Sequence, residues 1–188
     1  MTSSYRVLQA VQHLRAGGVI AYPTEAVWGL GCDPRNGIAI ARLLALKNRS
    51  PAKGLIMVAA SRAQFGPLLS GLDELENQRF EQGWPRPMTW LVPHRGLVHP
   101  LVCGRSAKVA LRVSDHPLVE ILCNRFGGPV ISTSANPQGR APALDCAQVR
   151  GYFGKQIDYI LQGSLGMAAA PSEIRDLASG ELIRSGTP

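Results

Sequence analysis

The sequence predicts an α/β protein, with helices and short strands mixed around one sheet. Segments with apolar residues at helical spacing alternate with short apolar runs rich in β-branched residues. The chain has 188 residues, which is the size of one domain. No repeat, low-complexity tract or long linker divides it, so we expect a single domain over residues 1–188. Hydrophobic residues form 45% of the chain and charged residues 18%, a composition typical of a folded core rather than of disorder.

Five segments are predicted to be helices from their spacing, caps and stop signals. The first follows the candidate caps Ser3 and Ser4 and ends at Gly17. The predicted helix 117–126 has Asp115 as its expected N-cap. The other predicted bounds are 38–47, 73–82, 117–126 (after Asp115) and 147–153. Strands are predicted at 19–22, 55–59, 89–92, 109–113, 130–133, 157–161 and 181–183. The order of these strands in the sheet does not follow from the sequence.

The cysteines and histidines do not form a metal-binding or disulfide pattern. The four cysteines contain no CxxC pair, and the four histidines lack a spacing such as HxxxH. We expect the cysteines to be reduced and mostly buried, as free cysteine commonly is. The polar N-terminus is unlike a signal peptide, and no apolar run reaches the roughly 20 residues of a membrane span. A cytoplasmic protein is therefore expected.

The charge distribution indicates an anionic partner. The net charge is +7, and the acidic residues are segregated: none lies between Asp33 and Asp73, or between Glu81 and Asp115. A surface of one sign attracts polyanions, either nucleotide phosphates or a nucleic-acid backbone. A basic protein that is merely soluble is the alternative. The cations in these two stretches are Arg35, Arg42, Lys47, Arg49, Lys53, Arg62, Arg86, Arg95, Arg105, Lys108 and Arg112.

Two polar segments follow predicted secondary structure in the first third of the chain. In 22–31, a strand leads into a proline turn with the hydroxyl of Thr24 and the carboxylate of Glu25, and two glycines then allow close approach of the backbone. In 47–54, three cations follow a helix, an arrangement suited to a polyphosphate. An ordinary strand-to-loop exit and a solvated helix end are the respective structural alternatives.

Two further segments lie at the ends of later strands. In 108–116, strand alternation would place Lys108, Ala110 and Arg112 on one face, where two cations could hold a carboxylate or phosphates. The segment 132–136 is a run of small hydrogen-bonding residues after a buried strand, a position where open α/β sheets often bind ligands. An exposed strand face and a plain turn are the alternatives.

Common catalytic motifs are absent. The sequence contains no GxxxxGK[ST], GxGxxG, GxSxG or HExxH motif. No nucleophile and base form an evident pair, so covalent catalysis is not indicated. If the chain binds ATP, it does so outside the common nucleotide-binding folds.

Taken in order, these segments resemble the YrdC/TsaC family of threonylcarbamoyl-AMP synthases. The matching pieces are YPTEAVWGLGCD, KNRSPAKGLI, WPRPMTW, VALRVSDHP, STSAN and PSEIRDLASGELIRSG, which together span 21–186. The length and the last motif resemble the compact bacterial form. The resemblance implies a single YrdC-like α/β (α+β) domain, with a twisted mixed sheet and flanking helices around a basic cavity.

The resemblance also implies the site residues. Lys47 and Arg49 are expected to be catalytic. The expected ATP-binding residues are Lys47, Arg49, Lys53, Lys108, Ser134, Asn136 and Arg184. The expected L-threonine-binding residues are Thr24, Arg112, Ser132 and Ser172, with Arg112 taking the carboxylate. No metal site formed by side chains alone is expected, because Mg²⁺ would come with the ATP phosphates.

The implied activity is the formation of L-threonylcarbamoyladenylate and pyrophosphate from L-threonine, bicarbonate and ATP, a nucleotidyl transfer that serves t6A modification at position 37 of tRNA. The implied partners are tRNA and the downstream threonylcarbamoyl-transferase complex, with no membrane; a monomer is expected. Two other functions stay open: an RNA-binding maturation factor without catalysis, and a carbamoyltransferase such as hydrogenase-maturation proteins, which contain a similar domain.

Several residues depart from the family pattern. Ser50 stands where proline is usual, Arg86-Pro87-Met88 stands where Gly-Pro-Leu is usual, and Gln138-Gly139 stands where Ser-Gly is usual. Ala26 and Val58 stand where longer relatives often have a hydroxyl and an imidazole. These departures concern the contacts to threonine more than the phosphate site.

Overall fold

The computed structural model describes residues 3–83, 88–168 and 170–186. Its helices are α1 (Ser3–Arg15), α2 (Gly37–Leu46), α3 (Gly66–Leu69), α4 (Glu74–Gln82), α5 (Pro100–Cys103), α6 (Pro117–Phe126) and α7 (Cys146–Phe153). Its strands are β1 (Ile20–Pro23), β2 (Trp28–Gly31), β3 (Ile56–Ala59), β4 (Met88–Pro93), β5 (Lys108–Val113), β6 (Val130–Ser134), β7 (Tyr159–Ile160), β8 (Glu173–Asp176) and β9 (Leu182–Arg184). Short 3₁₀ turns lie at Pro51–Lys53, Arg62–Phe65 and Gly154–Gln156.

The strands described form one twisted mixed sheet in the order β7-β1-β2-β6-β3-β5-β4-β8-β9. The pairs β1–β7, β3–β5 and β4–β8 are parallel, and the other neighbours are antiparallel. The predicted α/β class with a mixed sheet is therefore confirmed. Strands β5 and β6 lie on either side of β3. This order brings the polar segments 108–116 and 132–136 near each other.

Helices cover both faces of the sheet because successive strand residues point to opposite sides. On one face, α1 and α6 pack on Ile20, Tyr22 and Val58. On the other face, α2 packs in a cluster with Ala21 and Met57. The apolar spacing of α1 explains its packing, since its buried residues form one stripe along the helix: Val7, Ala10, Val11 and Leu14.

The start of α2 is fixed by an N-cap. The position of the helix in turn determines where segment 47–54, with its three cations, begins. Asn36 accepts hydrogen bonds through Oδ1 from the backbone N–H groups of Ile38 (3.1 Å) and Ala39 (3.0 Å). The helix ends at Leu46 with Lys47 as its C-cap, and the next residue, Asn48, has a left-handed φ of 50°. This turn directs the chain from the end of the helix into the 3₁₀ turn that carries Lys53.

Every predicted helix and strand overlaps an observed element, but the N-cap of α6 was predicted wrongly. The cap is His116 rather than Asp115: Nδ1 of His116 accepts a hydrogen bond of 3.2 Å from the N–H of Leu118. Pro117 occupies the first helical position, where its missing N–H costs nothing.

The sequence did not predict β2, although this strand completes a hairpin with β1. Its glycines were interpreted as loop residues that allow a ligand to approach. In the structure, a Cβ on Gly31 would lie 2.4 Å from the carbonyl oxygen of Ile131 and 2.8 Å from the Tyr22 ring. Glycine is thus required there for strand packing. Strand β8 and the short helices α3 and α5 were not predicted either.

The cysteines follow the expectation from the sequence. All four are free; Cys32, Cys103 and Cys123 are buried, and Cys146 is half-buried. Burial raises the pKa of both Cys32 and Cys123 to about 12, so neither carries a reactive thiolate near neutral pH. None of the helices described is long and apolar enough to cross a membrane.

Candidate active site

A cavity of about 420 Å³ lies on one side of the central strands. Its walls come from distant parts of the chain: the β1–β2 hairpin, the first 3₁₀ turn, β5, β6, and the segment from 170 to 184. Nine of the eleven residues expected to bind substrate line it: Thr24, Arg49, Lys53, Lys108, Arg112, Ser132, Ser134, Ser172 and Arg184.

Strand β5 forms part of the cavity wall as its alternation predicts. Lys108, Ala110 and Arg112 all line the cavity, whereas Val109 and Leu111 belong to the apolar core. The Lys108 ammonium forms an ion pair with the carboxylate of Asp176, at the end of β8. This pairing partly neutralises Lys108.

Arg112 forms a buried ion pair with Glu25. Its Nη2 lies 2.6 Å from Oε2 of Glu25, and the two side chains are only 10% and 9% exposed. Oε1 of Glu25 accepts a hydrogen bond from the hydroxyl of Ser114. Within the part of the chain that the structure describes, the buried Nε of Arg112 has no hydrogen-bond partner. Such an unsatisfied donor is costly, and a bound acceptor would remove that cost.

Three other cations in the cavity have no ion-pair partner within residues 3–83, 88–168 and 170–186: Arg49, Lys53 and Arg184. Nη2 of Arg49 donates to the carbonyl of Gly54 (2.8 Å), and Nη2 of Arg184 donates to the carbonyl of Ser172 (3.0 Å). Burial, and then the charge of Arg184, lowers the pKa of Arg49. Burial, and secondly the charge of Arg112, lowers the pKa of Arg184. The guanidinium groups thus repel one another.

Lys47 and Asn136, also expected at the ATP site, are not among the lining residues. The Lys47 ammonium is buried behind the wall, where it donates to the carbonyls of Ser134 and Asn136, the latter at 2.8 Å. Burial, and secondly the charge of Arg49, lowers the pKa of Lys47 to about 8. In this structure Lys47 therefore contacts the protein backbone, and its role toward ATP stays a prediction.

Some hydroxyl groups of the cavity already form hydrogen bonds within the protein. Thr24 Oγ1 donates to the carbonyl of Val27 at 2.7 Å, inside the β1–β2 turn. The hydroxyl oxygens of Ser172 and Thr89 lie 2.8 Å apart. Ser132 and Ser134 come from the carboxyl end of β6 and face the same space. The cavity thus combines hydroxyl donors and acceptors with cations.

The residues that depart from the family pattern occupy different places. Ala26 lines the cavity, whereas Val58 is fully buried in β3. Ser50 accepts a hydrogen bond of 3.3 Å from the N–H of Ala52, and the N–H of Gln138 donates to the carbonyl of Lys47 at 2.8 Å. Arg86 lies outside the described residues. Ala26 is thus the departure with a direct place at the cavity.

The site contains a residue to which the sequence assigned no role, Glu25. The polarity of segment 22–31 predicts a site there, but the family pattern assigns a role to Thr24 alone. A carboxylate within a predicted anion site was itself a signal, because in this otherwise basic cavity it needs a cationic partner. Asp176, the partner of Lys108, was missed in the same way.

Comparisons with known proteins agree with this fold and cavity. A family model described as "Telomere recombination" (Sua5/YciO/YrdC) matches residues 12–186. The threonylcarbamoyl-AMP synthase of Chromohalobacter salexigens is 54% identical over 179 residues, covering 95% of this chain and 96% of that protein. That of Pseudomonas fluorescens Pf-5 is 54% identical over 184 residues, covering 98% and 99%.

Among solved structures, P. abyssi Sua5 complexed with L-threonine superposes with a TM-score of 0.90 at 26% identity. The match covers 99% of this chain and 55% of that protein, so the chain spans just over half of the Sua5 length. Fold and cavity define an α/β domain with a mixed sheet and a cation-lined cavity. The chain belongs to the Sua5/YciO/YrdC family.

Proposed function

We propose that the protein is a threonylcarbamoyl-AMP synthase, which forms L-threonylcarbamoyladenylate and pyrophosphate from L-threonine, bicarbonate and ATP. The observation that carries the proposal is the cavity itself, where unpaired cations adjoin a buried arginine with an unsatisfied donor. The names of relatives that match nearly the whole chain support the same activity. In reaction class this is a nucleotidyltransferase.

ATP would occupy the end of the cavity that contains Arg49, Lys53 and Arg184. A triphosphate relieves the repulsion between these cations, and arginine offers it a planar fork of donors. Lys108 and Ser134 would contribute from the sheet. Lys47 and Asn136 would act from behind the wall, by fixing the loop that carries Ser134.

Threonine would occupy the end of the cavity near Arg112. Arg112 lines the cavity and would offer its guanidinium group to the threonine carboxylate. Thr24, Ser132 and Ser172 lie around the same space and offer hydroxyl groups for the remaining polar atoms of the substrate. The L-threonine complex of P. abyssi Sua5 supports threonine as the ligand here.

The reaction would proceed in two steps. The threonine ammonium first loses a proton, and the free amine attacks the carbon of bicarbonate with loss of water, or that of carbon dioxide with loss of a second proton, to give an N-carboxylate. This carboxylate then attacks the α-phosphorus of ATP, and pyrophosphate leaves. Both reactants are anionic, so the cations must hold them together. Orientation can lower such a barrier by roughly 7–11 kcal/mol, and one well-placed donor by about 2.7–4 kcal/mol. A sheltered cavity also protects the labile N-carboxylate from water.

Mg²⁺ is proposed to arrive with ATP. The described residues contain no group of three or more His, Cys, Asp or Glu side chains that could hold a metal ion. The carboxylates of Glu25 and Asp176 are each paired with a cation already. Phosphate oxygens and water are therefore the ligands that fit, as Mg²⁺ prefers oxygen and keeps several waters. Bound in this way, Mg²⁺ would neutralise part of the phosphate charge.

The wider setting is likewise a proposal. The product would serve t6A formation at position 37 of tRNA, through a downstream threonylcarbamoyl-transferase complex. The net charge of +7 favours direct contact with tRNA. A cytoplasmic monomer is the state that we propose.

The test is a pyrophosphate-release assay with purified protein, ATP and bicarbonate, with and without L-threonine. Release that needs both threonine and bicarbonate is the expected result, with the adenylate identified by mass spectrometry. If no pyrophosphate is released and the protein instead binds RNA tightly and in a salt-sensitive way, the synthase proposal is wrong. A binding factor without catalysis would then be the better description.

A further inference from the structure

The charges in the cavity are distributed unevenly. Arg49, Lys53 and Arg184 have no ion-pair partner in the described part of the chain, whereas Arg112 is paired with Glu25. The cavity therefore combines unpaired cations, suited to a polyanion, with a place at Arg112 and Glu25 where positive and negative charge lie side by side. A simple anion gains little at Arg112, because the nearby carboxylate of Glu25 repels it. A zwitterion is attracted by both charges.

Glu25 is the only carboxylate among the described residues that line this cavity. One of its oxygens accepts from Arg112 and the other from Ser114. An ionised carboxylate has about four lone-pair sites, so each oxygen keeps the capacity for one more donor. A substrate ammonium is a donor of the right charge.

The position of Glu25 is fixed from the backbone side. The segment 166–168 crosses the turn that carries it: the N–H of Gly166 donates to the carbonyl of Thr24 (3.0 Å), and the N–H of Ala168 donates to that of Glu25 (3.1 Å). A Cβ on Gly166 would lie 2.9 Å from Cα of Glu25, so the contact requires glycine. A group held this rigidly can define the position of a bound atom to within a fraction of an ångström.

We propose that Glu25 binds the α-ammonium of the amino-acid substrate while Arg112 binds its carboxylate, so that the pair recognises a free α-amino acid as a zwitterion. This inference rests on the proposed function, since it assumes that threonine occupies the Arg112 end. It assigns Glu25 the selection of α-amino acids over other carboxylates. It also assigns Glu25 the placement of the nitrogen that later bonds to the carbon of bicarbonate.

The decisive test compares three ligands on the wild-type protein by calorimetry: L-threonine, 2,3-dihydroxybutyrate, which lacks the ammonium, and L-threoninol, which lacks the carboxylate. Loss of one partner of a buried charge pair typically weakens binding by about 2 kcal/mol or more, which is roughly 30-fold in Kd. We expect both analogues to bind at least that much more weakly than threonine. If dihydroxybutyrate binds within about threefold of threonine, the inference is wrong, and this comparison needs no variant.

Glu25→Gln provides the second arm. It should raise the Kd of threonine roughly 30-fold, leave that of ATP within about threefold, and leave dihydroxybutyrate unchanged or tighter. Glu25→Asp, which keeps the charge, should restore part of the threonine affinity. Asp158→Asn is the matched control, because it breaks a carboxylate–arginine pair (2.6 Å to Arg42) that does not line the cavity. Unchanged threonine affinity in folded Glu25→Gln overturns the inference.

The outcomes separate this inference from the proposed function. If the wild-type protein binds no threonine and releases no pyrophosphate, the proposed function is wrong, and the inference with it. If it releases pyrophosphate with threonine and bicarbonate, yet Glu25→Gln keeps its threonine affinity, only the role of Glu25 is wrong. If Glu25→Gln does not fold, because Arg112 is left buried and unpaired, Glu25→Asp decides: its shorter carboxylate should still weaken threonine binding severalfold, and an unchanged Kd overturns the inference.

Discussion

The ammonium of Lys47 donates a hydrogen bond of 2.8 Å to the carbonyl oxygen of Asn136, which lies 89 residues further along the chain. A second bond goes to the carbonyl of Ser134. The end of α2 is thereby fastened to the turn after β6, and these are two of the segments that the sequence indicated as a phosphate site. Lys47 is thus placed to hold the turn after β6, which carries Ser134 into the cavity wall.

Lys47→Ala should lower both stability and turnover. The substitution removes the Lys47 donor from the carbonyl of Asn136 and from that of Ser134, which keeps a hydrogen bond of 3.0 Å from the N–H of Asn136. The free energy of unfolding should fall by about 1–3 kcal/mol. It also frees the turn that carries Ser134, so adenylate formation should fall as well. Urea denaturation and pyrophosphate release measure the two effects. Lys155→Ala, at an exposed position, is the control; equal stability of both variants would contradict the prediction.

The depressed pKa of Lys47, about 8, predicts a pH-dependent difference between the wild type and Lys47→Ala. An unfolded lysine has a pKa of about 10.4, so above pH 8 the unfolded state binds more protons than the folded state. The stability of the wild type relative to the variant should therefore rise with pH from about 8 to 10.4, by up to about 1.4 kcal/mol per unit. Denaturation of both proteins at several pH values tests this. A constant difference would show that the ammonium titrates normally.

Arg49→Ala should weaken ATP binding while threonine binding stays nearly unchanged. Hydrogen bonds to charged groups contribute about 1.5–3 kcal/mol, so the Kd of ATP should rise roughly ten- to a hundredfold. Arg49→Lys should recover only part of this, because lysine lacks the planar fork. Calorimetric titrations provide both constants, and Arg35→Ala is the control because that side chain is 82% exposed. Equal losses for both ligands would indicate a general disruption instead.

Gly166→Ala should raise the KM of threonine more than that of ATP. Its Cβ would lie 2.9 Å from Cα and 3.0 Å from the carbonyl oxygen of Glu25, so the turn of Glu25 must shift. The nearest atoms to this Cβ all belong to Glu25, and none belongs to Arg49 or Lys53. Steady-state kinetics with each substrate varied in turn measure the effect. Gly128→Ala, where an added Cβ meets nothing within 4 Å, should leave both constants unchanged.

The sequence was sufficient for the elements and the family because both depend on local signals. The apolar spacing of α1 and the alternation of β5 were confirmed, and so was the YrdC-type family, through relatives 54% identical over nearly the full chain that are named threonylcarbamoyl-AMP synthases. Strand β2 was missed because its glycines serve packing against Ile131, which only the fold brings close.

The ion pairs of the site could not be predicted from the sequence, because only the fold brings their partners together. Arg112 and Glu25 are 87 residues apart, and Lys108 and Asp176 are 68 apart. The alternation of β5 indicates which side chains share a face, but not which carboxylate meets them. The sequence therefore identifies Glu25 only as a polar residue of segment 22–31. Likewise, the burial of Lys47 depends on the β6 turn and has no local signal.

The sheet order has a consequence for the sequence of events during synthesis. The first hairpin, which carries Thr24 and Glu25, leaves the ribosome early, whereas Arg184 lies on β9, the edge strand made last. The N-terminal part of a chain generally begins to fold first. A nascent chain can therefore bury most of its apolar core before Arg184 joins the other cations of the cavity. The basic cavity is thus completed only after the sheet that supports it has formed.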